Sequence, residues 1–296
     1  MPSLLERCVA ELFGSFVLCF CACGCAGNTK YDITPTALSF GLTMVGMAYS
    51  IGRVSGCHIN PAVSLAYLIL GQLDPIDFLV YVLSQFIGGL IGALAVFGFM
   101  YMSYDSNMEL ISAYVGTGAN SMLLYDELGY KAGNTIGALL TEIVLTFIYV
   151  YVFINASDLS AQHKDLYGFI VGGMLTLVNL TGIRITGASI NPARSLATAV
   201  SSVAYFDVSS SIKQIWIWII GPMIGGGLAP FLYKFLHNVN EPEKCVYKSR
   251  DIGMQGNAQQ PNNVCVQEHI PYSYNIQQQI PSVQNQVQNN VPKQVQ

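Results

Sequence analysis

Charge is what this sequence has least of. Its 13 Lys and Arg and 17 Asp and Glu make up only 10% of 296 residues, where a soluble globular chain carries about 25%. A net charge of -4 with no basic stripe excludes nucleic acid as a partner. Histidine is scarce too, with four in the chain, and no cluster has metal-ligand spacing. There is no nucleophile–base set and no phosphate loop, so neither an enzyme nor a resident cofactor is expected. Of the eight cysteines, none falls in an expected external loop, which excludes a disulfide framework. Cys19, Cys21, Cys23 and Cys25 share one apolar run and read as small core residues.

What is present is hydrophobicity, at 52% of residues with a mean hydropathy of +0.44. Apolar runs bounded by polar, Gly or Pro residues predict six spans, near residues 8–27, 36–54, 78–102, 134–154, 166–184 and 212–236. The first run carries Glu11 and lacks a cleavage site, so it predicts a retained helix rather than a signal peptide. Two further apolar pieces, 60–70 and 191–201, are about half the spanning length.

Both half-length pieces open with Asn-Pro-Ala: Asn60-Pro61-Ala62 and Asn191-Pro192-Ala193. The 131-residue offset between them also relates Glu11 to Glu142, Gly41 to Gly172 and Gly56 to Gly187. The chain therefore reads as two copies of one unit. Three spans per copy is an odd number, so the copies enter the membrane from opposite sides. The expected fold is an all-α membrane protein with six transmembrane helices and two re-entrant half-helices in an inverted repeat. Its expected divisions are a first repeat over 1–125, a second over 126–236, and a Gln/Asn-rich tail over 237–296 whose composition predicts disorder. Eight Lys and Arg on one side against five on the other put both termini in the cytoplasm.

Asn is a favoured N-cap, and Pro at the first helical position lacks only a donor that would be orphaned anyway. Each motif thus reads as a helix start. Two starts entering from opposite faces would meet halfway, with their N–H groups and positive dipole ends aimed at one spot. The unwound segments before them, which include Cys57, His58, Gly187 and Ala188, survive at that depth only against protein or a water-filled cavity. Such a site admits neutral molecules with donors and acceptors and repels cations and protons. An arginine inside the second half-helix, Arg194, is a functional candidate by default, although a snorkelling surface role is the alternative.

The strings Ser55-Gly56-Cys57-His58-Ile59-Asn60-Pro61-Ala62-Val63 and Thr186-Gly187-Ala188-Ser189-Ile190-Asn191-Pro192-Ala193-Arg194-Ser195 resemble the two signature loops of the aquaporins, the major intrinsic protein family. The match covers residues 8 to about 236. The resemblance implies a homotetramer with one pore per subunit, located in a lipid bilayer such as the plasma membrane. It implies that Arg194 donates to the permeant at a constriction walled by Phe40. It also implies that Glu11 and Glu142 brace the two loops. His58 either lines the cytoplasmic mouth or packs in the core.

The family's constriction histidine is replaced here by Asn179, and a common cysteine by Ala188. Smaller groups there predict a wider filter, fit for glycerol or urea beside water. Ser195 and Ala199 follow the water-channel pattern instead, where glycerol facilitators commonly carry Asp. This mixture resembles an arthropod glycerol-permeating subgroup. The competing readings are a strictly water-selective channel and a junctional protein with a vestigial pore that adheres through residues 103–133.

Overall fold

The computed structural model describes residues 2–29, 32–103, 119–120, 135–158, 164–206 and 209–237. Residues 103–133, apart from Ser103, Ala119 and Asn120, and the tail from 238 lie outside the described residues. The stretch expected to serve adhesion and the tail expected to be disordered thus fall outside the described residues.

Helix α1 spans Leu4–Asn28. Ser3 caps it in a capping box, its hydroxyl accepting from the Glu6 N–H while the Glu6 carboxylate accepts from the Ser3 N–H. The run Leu18–Cys23 within α1 widens into a π-helical turn, a local irregularity that periodicity does not reveal. Helix α2, Ile33–Ser55, starts at an Asp32 cap and ends at Gly56, whose φ of 84° is left-handed. The first half-helix, α3, is Pro61–Ile69. Then come α4, Pro75–Ser103, and α5, Thr135–Ser157. Helix α6, Tyr167–Thr186, ends at a second left-handed glycine, Gly187, with φ 80°. The second half-helix, α7, is Pro192–Phe206, and α8 is Ser209–His237.

Five of these helices are long and apolar enough to cross a membrane. Helix α2 has the length, at 23 residues, but dilutes its apolar face with Thr34, Thr36, Ser39, Thr43 and Arg53. The six long helices and two half-helices are the expected all-α architecture.

In lipid there is little hydrophobic gain when helices meet, so association relies on close backbone approach through small residues. Gly41 on α2 and Gly172 on α6 are such a crossing. A Cβ on Gly41 would lie 2.6 Å from the Gly172 carbonyl oxygen, and a Cβ on Gly172 would lie 2.6 Å from the Gly41 carbonyl oxygen. Gly88 of α4 sits likewise on the Leu12 carbonyl, and Gly225 of α8 on the Ile143 carbonyl. Leu12 and Ile143 differ by 131, but Gly88 and Gly225 differ by 137. The repeat offset has slipped by six residues between the half-helices and the third helices. The second half-helix is 15 residues against 9 in the first, a difference that matches the slip.

Gly41→Ala is expected to lower the melting temperature of purified protein in detergent by several degrees, since over-packing costs about 1–3 kcal/mol. Gly46→Ala, where a Cβ meets nothing within 4 Å, serves as the control. Equal melting of the two variants would show that the α2–α6 crossing tolerates a methyl group.

Candidate pore site

Helices α2 and α6 each end in an unwound loop that cannot pair its own backbone. The loops bend through left-handed residues: Cys57 and Ile59 in the first, with φ 52° and 39°, and Ala188 and Ile190 in the second, with φ 45° and 48°. Such angles are outliers for β-branched isoleucine and persist only where the surroundings over-determine them. A buried carboxylate does this in each loop. Glu11 accepts from the Ser55 hydroxyl at 2.6 Å, the His58 N–H at 2.9 Å and the Ile59 N–H at 2.6 Å. Glu142 accepts from the Thr186 hydroxyl at 2.6 Å, the Ser189 N–H at 3.0 Å and the Ile190 N–H at 2.8 Å. Each donor in the second set lies 131 residues after its counterpart in the first.

The half-helices begin where these loops end. Asn60 caps α3, its Oδ1 accepting from the Ala62 N–H at 2.9 Å, and Pro61 takes the first helical position. The Asn191 Oδ1 accepts from the Arg194 N–H at 3.1 Å. Each amide then reaches across. Asn60 Nδ2 donates to the Ile190 carbonyl and Asn191 Nδ2 to the Ile59 carbonyl, both at 2.8 Å. The two amino ends therefore face each other, and their dipoles converge.

A cavity runs past this contact. Most of its lining falls into pairs related by the offset of 131: Asn60 with Asn191, Ile59 with Ile190, His58 with Ser189, Met44 with Leu175, and Leu18 with Tyr149. Phe40 and Arg194 complete it without their counterparts, Val171 and Val63. The Arg194 Cζ stands 5.2 Å from the Phe40 ring centroid, within cation–π range. Arg194 is buried, and its Nε and Nη1 have no hydrogen-bond partner among the described residues. Unsatisfied buried donors on a charged group are costly and are well placed to meet a polar molecule in the cavity.

The remaining candidates sit further back. Asn179 is fully buried but does not line this cavity. Its Nδ2 donates to the Leu175 carbonyl one turn back at 2.8 Å. Its Oδ1 has no partner among the described residues. Ala188 and Cys57 are buried in the loops, and Gly187 holds the left-handed turn that ends α6. Among the described residues no cluster of metal-ligating side chains occurs.

Three supporting residues, Gln85, Asn120 and Tyr81, escaped the sequence reading. Gln85 Nε2 gives Glu11 a fourth donor at 2.7 Å and reaches the Ser64 hydroxyl at 3.0 Å. A lone amide in the apolar α4 was the available signal. Asn120 accepts from the Ser195 hydroxyl at 2.7 Å and lies against Gly187, whose Cβ would approach its Nδ2 at 2.6 Å. No sequence pattern marked it. Tyr81 donates to the Ser55 carbonyl and Trp218 to the Thr186 carbonyl, both at 3.0 Å. These two are 137 apart, so only the slipped offset relates them.

Apolar helices enclosing a polar contact between two half-helix amino ends define an intramembrane channel rather than a catalyst. Comparison with known proteins agrees. The major intrinsic protein model matches residues 1–233, and the chain belongs to that family of multi-pass membrane channels. Aquaporin Z of Photorhabdus laumondii is 33% identical over 239 residues, covering 79% of this chain and 98% of that protein. Glycerol uptake facilitator protein-like 6 of Lactiplantibacillus plantarum is 30% identical over 227 residues, covering 77% and 96%. The aquaglyceroporin structure from Plasmodium falciparum superposes with a TM-score of 0.67 at 22% identity, covering 78% of this chain and 96% of that one. It shares the fold.

Proposed function

We propose that the chain is a passive channel for water and for small uncharged solutes of the glycerol and urea class, and that it excludes ions and protons. The observation that carries this reading is one cavity lined by both facing amide caps and by a buried, partly unpartnered Arg194. Two positive helix ends and a guanidinium oppose any cation stripped of its hydration, while a neutral solute can exchange its water hydrogen bonds for amides. The glycerol facilitator among the relatives supports the wider solute range, as does an amide at 179 in place of an imidazole. Phe40, Asn179, Ala188 and Arg194 are proposed to set the selectivity.

The same reading takes the repeats as 1–125 and 126–236, with the tail and both termini cytoplasmic. It takes the assembly as a homotetramer in the plasma membrane, which cross-linking of membranes from expressing cells would count.

The test is reconstitution. Vesicles holding the protein should shrink in an impermeant osmotic gradient faster than empty ones, and should swell in isosmotic glycerol or urea. Water flux without solute flux would leave a strictly water-selective channel. Asn179→His should then cut glycerol flux several-fold while sparing most water flux. Equal loss of both would remove residue 179 from the filter.

A further inference from the structure

The cysteines of α1 do not share one environment. Cys21 is exposed, and the Cys25 thiol donates to the Pro35 carbonyl at 3.7 Å. Cys19 and Cys23 are turned inward, 1% and 4% exposed. Both lie in the run Leu18–Cys23, where α1 widens into its π-helical turn, a feature found mostly at functional sites. The symmetry-related places in α5 hold Val150 and Ile154, within an ordinary α-helix. Packing alone therefore does not call for sulfur at 19 and 23.

The two thiols meet each other beside the cavity. The Cys19 Sγ faces α4 and α7, since a Cβ on Gly89 would lie 3.2 Å from it and 3.2 Å from the Ala197 Cβ. Cys23 is one turn further along α1, and its thiol reaches both Cys19 and the Arg194 guanidinium. Arg194 thus has the Phe40 ring on one side, at the cavity, and Cys23 on another, away from the cavity lining. Reactive cysteines sit beside a cation, and inert ones in wholly apolar surroundings.

We propose that Cys19 and Cys23 form an oxidisable dithiol beside Arg194, that hydrogen peroxide closes it to a disulfide, and that closing it slows the pore. The proposal rests on the channel reading above. Peroxide is neutral, both donates and accepts hydrogen bonds, and can follow the path of water. The Cys23 sulfur attacks one peroxide oxygen, the O–O bond breaks, and the departing oxygen takes up the thiol proton as water. The Cys19 sulfur then attacks the sulfenic acid, forms the S–S bond and releases a second water. In sum, two thiols and one peroxide give one disulfide and two waters. In the disulfide the Cys23 sulfur turns to Cys19 and leaves the guanidinium, which then holds passing molecules more tightly.

The test is peroxide treatment of the reconstituted protein. The wild type is expected to gain a Cys19–Cys23 link, assigned by peptide mass after alkylation of the remaining thiols, and to lose about twofold or more of its water permeability. Reduction by 2-mercaptoethanol, neutral and glycerol-sized, should restore the flux. Cys23→Ser should keep its own flux under peroxide, and Cys19→Ser should stop at a sulfenic acid on Cys23, trapped by dimedone on denaturation. Cys19→Ala and Cys23→Ala, whose counterparts are apolar, carry the same test where a serine variant does not fold. Both thiols intact in the treated wild type, or the disulfide formed with flux unchanged, overturns the proposal. So does an equal loss of flux in Cys23→Ser. The thiol assay needs no conduction, so a wild type that passes no water yet forms the link supports the oxidisable site while ending the channel reading.

Discussion

Glu142→Leu is expected to yield little or no folded channel. The carboxylate holds the second loop through three donors, the Thr186 hydroxyl and the Ser189 and Ile190 N–H groups. Leucine leaves all three facing an apolar side chain at full burial. An orphaned buried donor costs about 1–3 kcal/mol, so three together cost roughly 3–9 kcal/mol. That is comparable with the whole stability of a typical domain, about 5–15 kcal/mol. The left-handed turns at Ala188 and Ile190 would also lose what enforces them. Glu142→Gln keeps the shape but offers a single acceptor oxygen, and its amide N–H would confront donors. It should fold with a lower melting temperature and reduced water flux. Thermal unfolding in detergent and size exclusion read both effects. A leucine variant that is monodisperse, melts like the wild type and conducts water would remove the carboxylate from the loop's support.

Arg194→Val should alter what passes far more than how much water passes. Valine occupies the symmetry-related position, Val63, so the volume is one this fold already accepts. What disappears is a buried cation beside the cavity. At an effective dielectric near 20, a unit charge 5 Å from a passing cation contributes about 3 kcal/mol. Each 1.36 kcal/mol is about tenfold in rate. Screening by water in the track reduces the effect, so a proton or cation leak at least about tenfold above wild type is expected. Glycerol flux should rise as well, because the guanidinium over the Phe40 ring no longer narrows the path. A pH-sensitive dye inside vesicles reads the leak, and light scattering reads the solute. Unchanged proton leak in a folded variant would assign the exclusion wholly to the two helix ends.

Much of this site was legible because its chemistry is local. Asn followed by Pro marks a helix start by capping alone, so both half-helices could be placed from six residues. Two carboxylates at the same offset signalled a shared task, although their donors became visible only in three dimensions. Other parts were not legible because they are tertiary. Asn120 reaches Ser195 across 75 residues, with nothing in its neighbours to announce it. The six-residue slip between Gly88 and Gly225 hid the kinship of Tyr81 and Trp218, since one fixed offset cannot follow an elongated half-helix. Asn179 sits where family likeness puts a filter residue, yet its amide is bonded to its own helix. No spacing rule distinguishes a side chain aimed at a cavity from one folded back.

The proline after each capping asparagine has one more consequence, for the chemical lifetime of the molecule. Asparagine ages to aspartate when the following peptide nitrogen attacks the side-chain amide, and proline has no N–H with which to begin that ring closure. Asn60-Pro61 and Asn191-Pro192 are thereby shielded from a lesion that would set a permanent negative charge where the two helices meet. A protein carrying these pairs can grow old in its membrane without slowly turning into a cation leak.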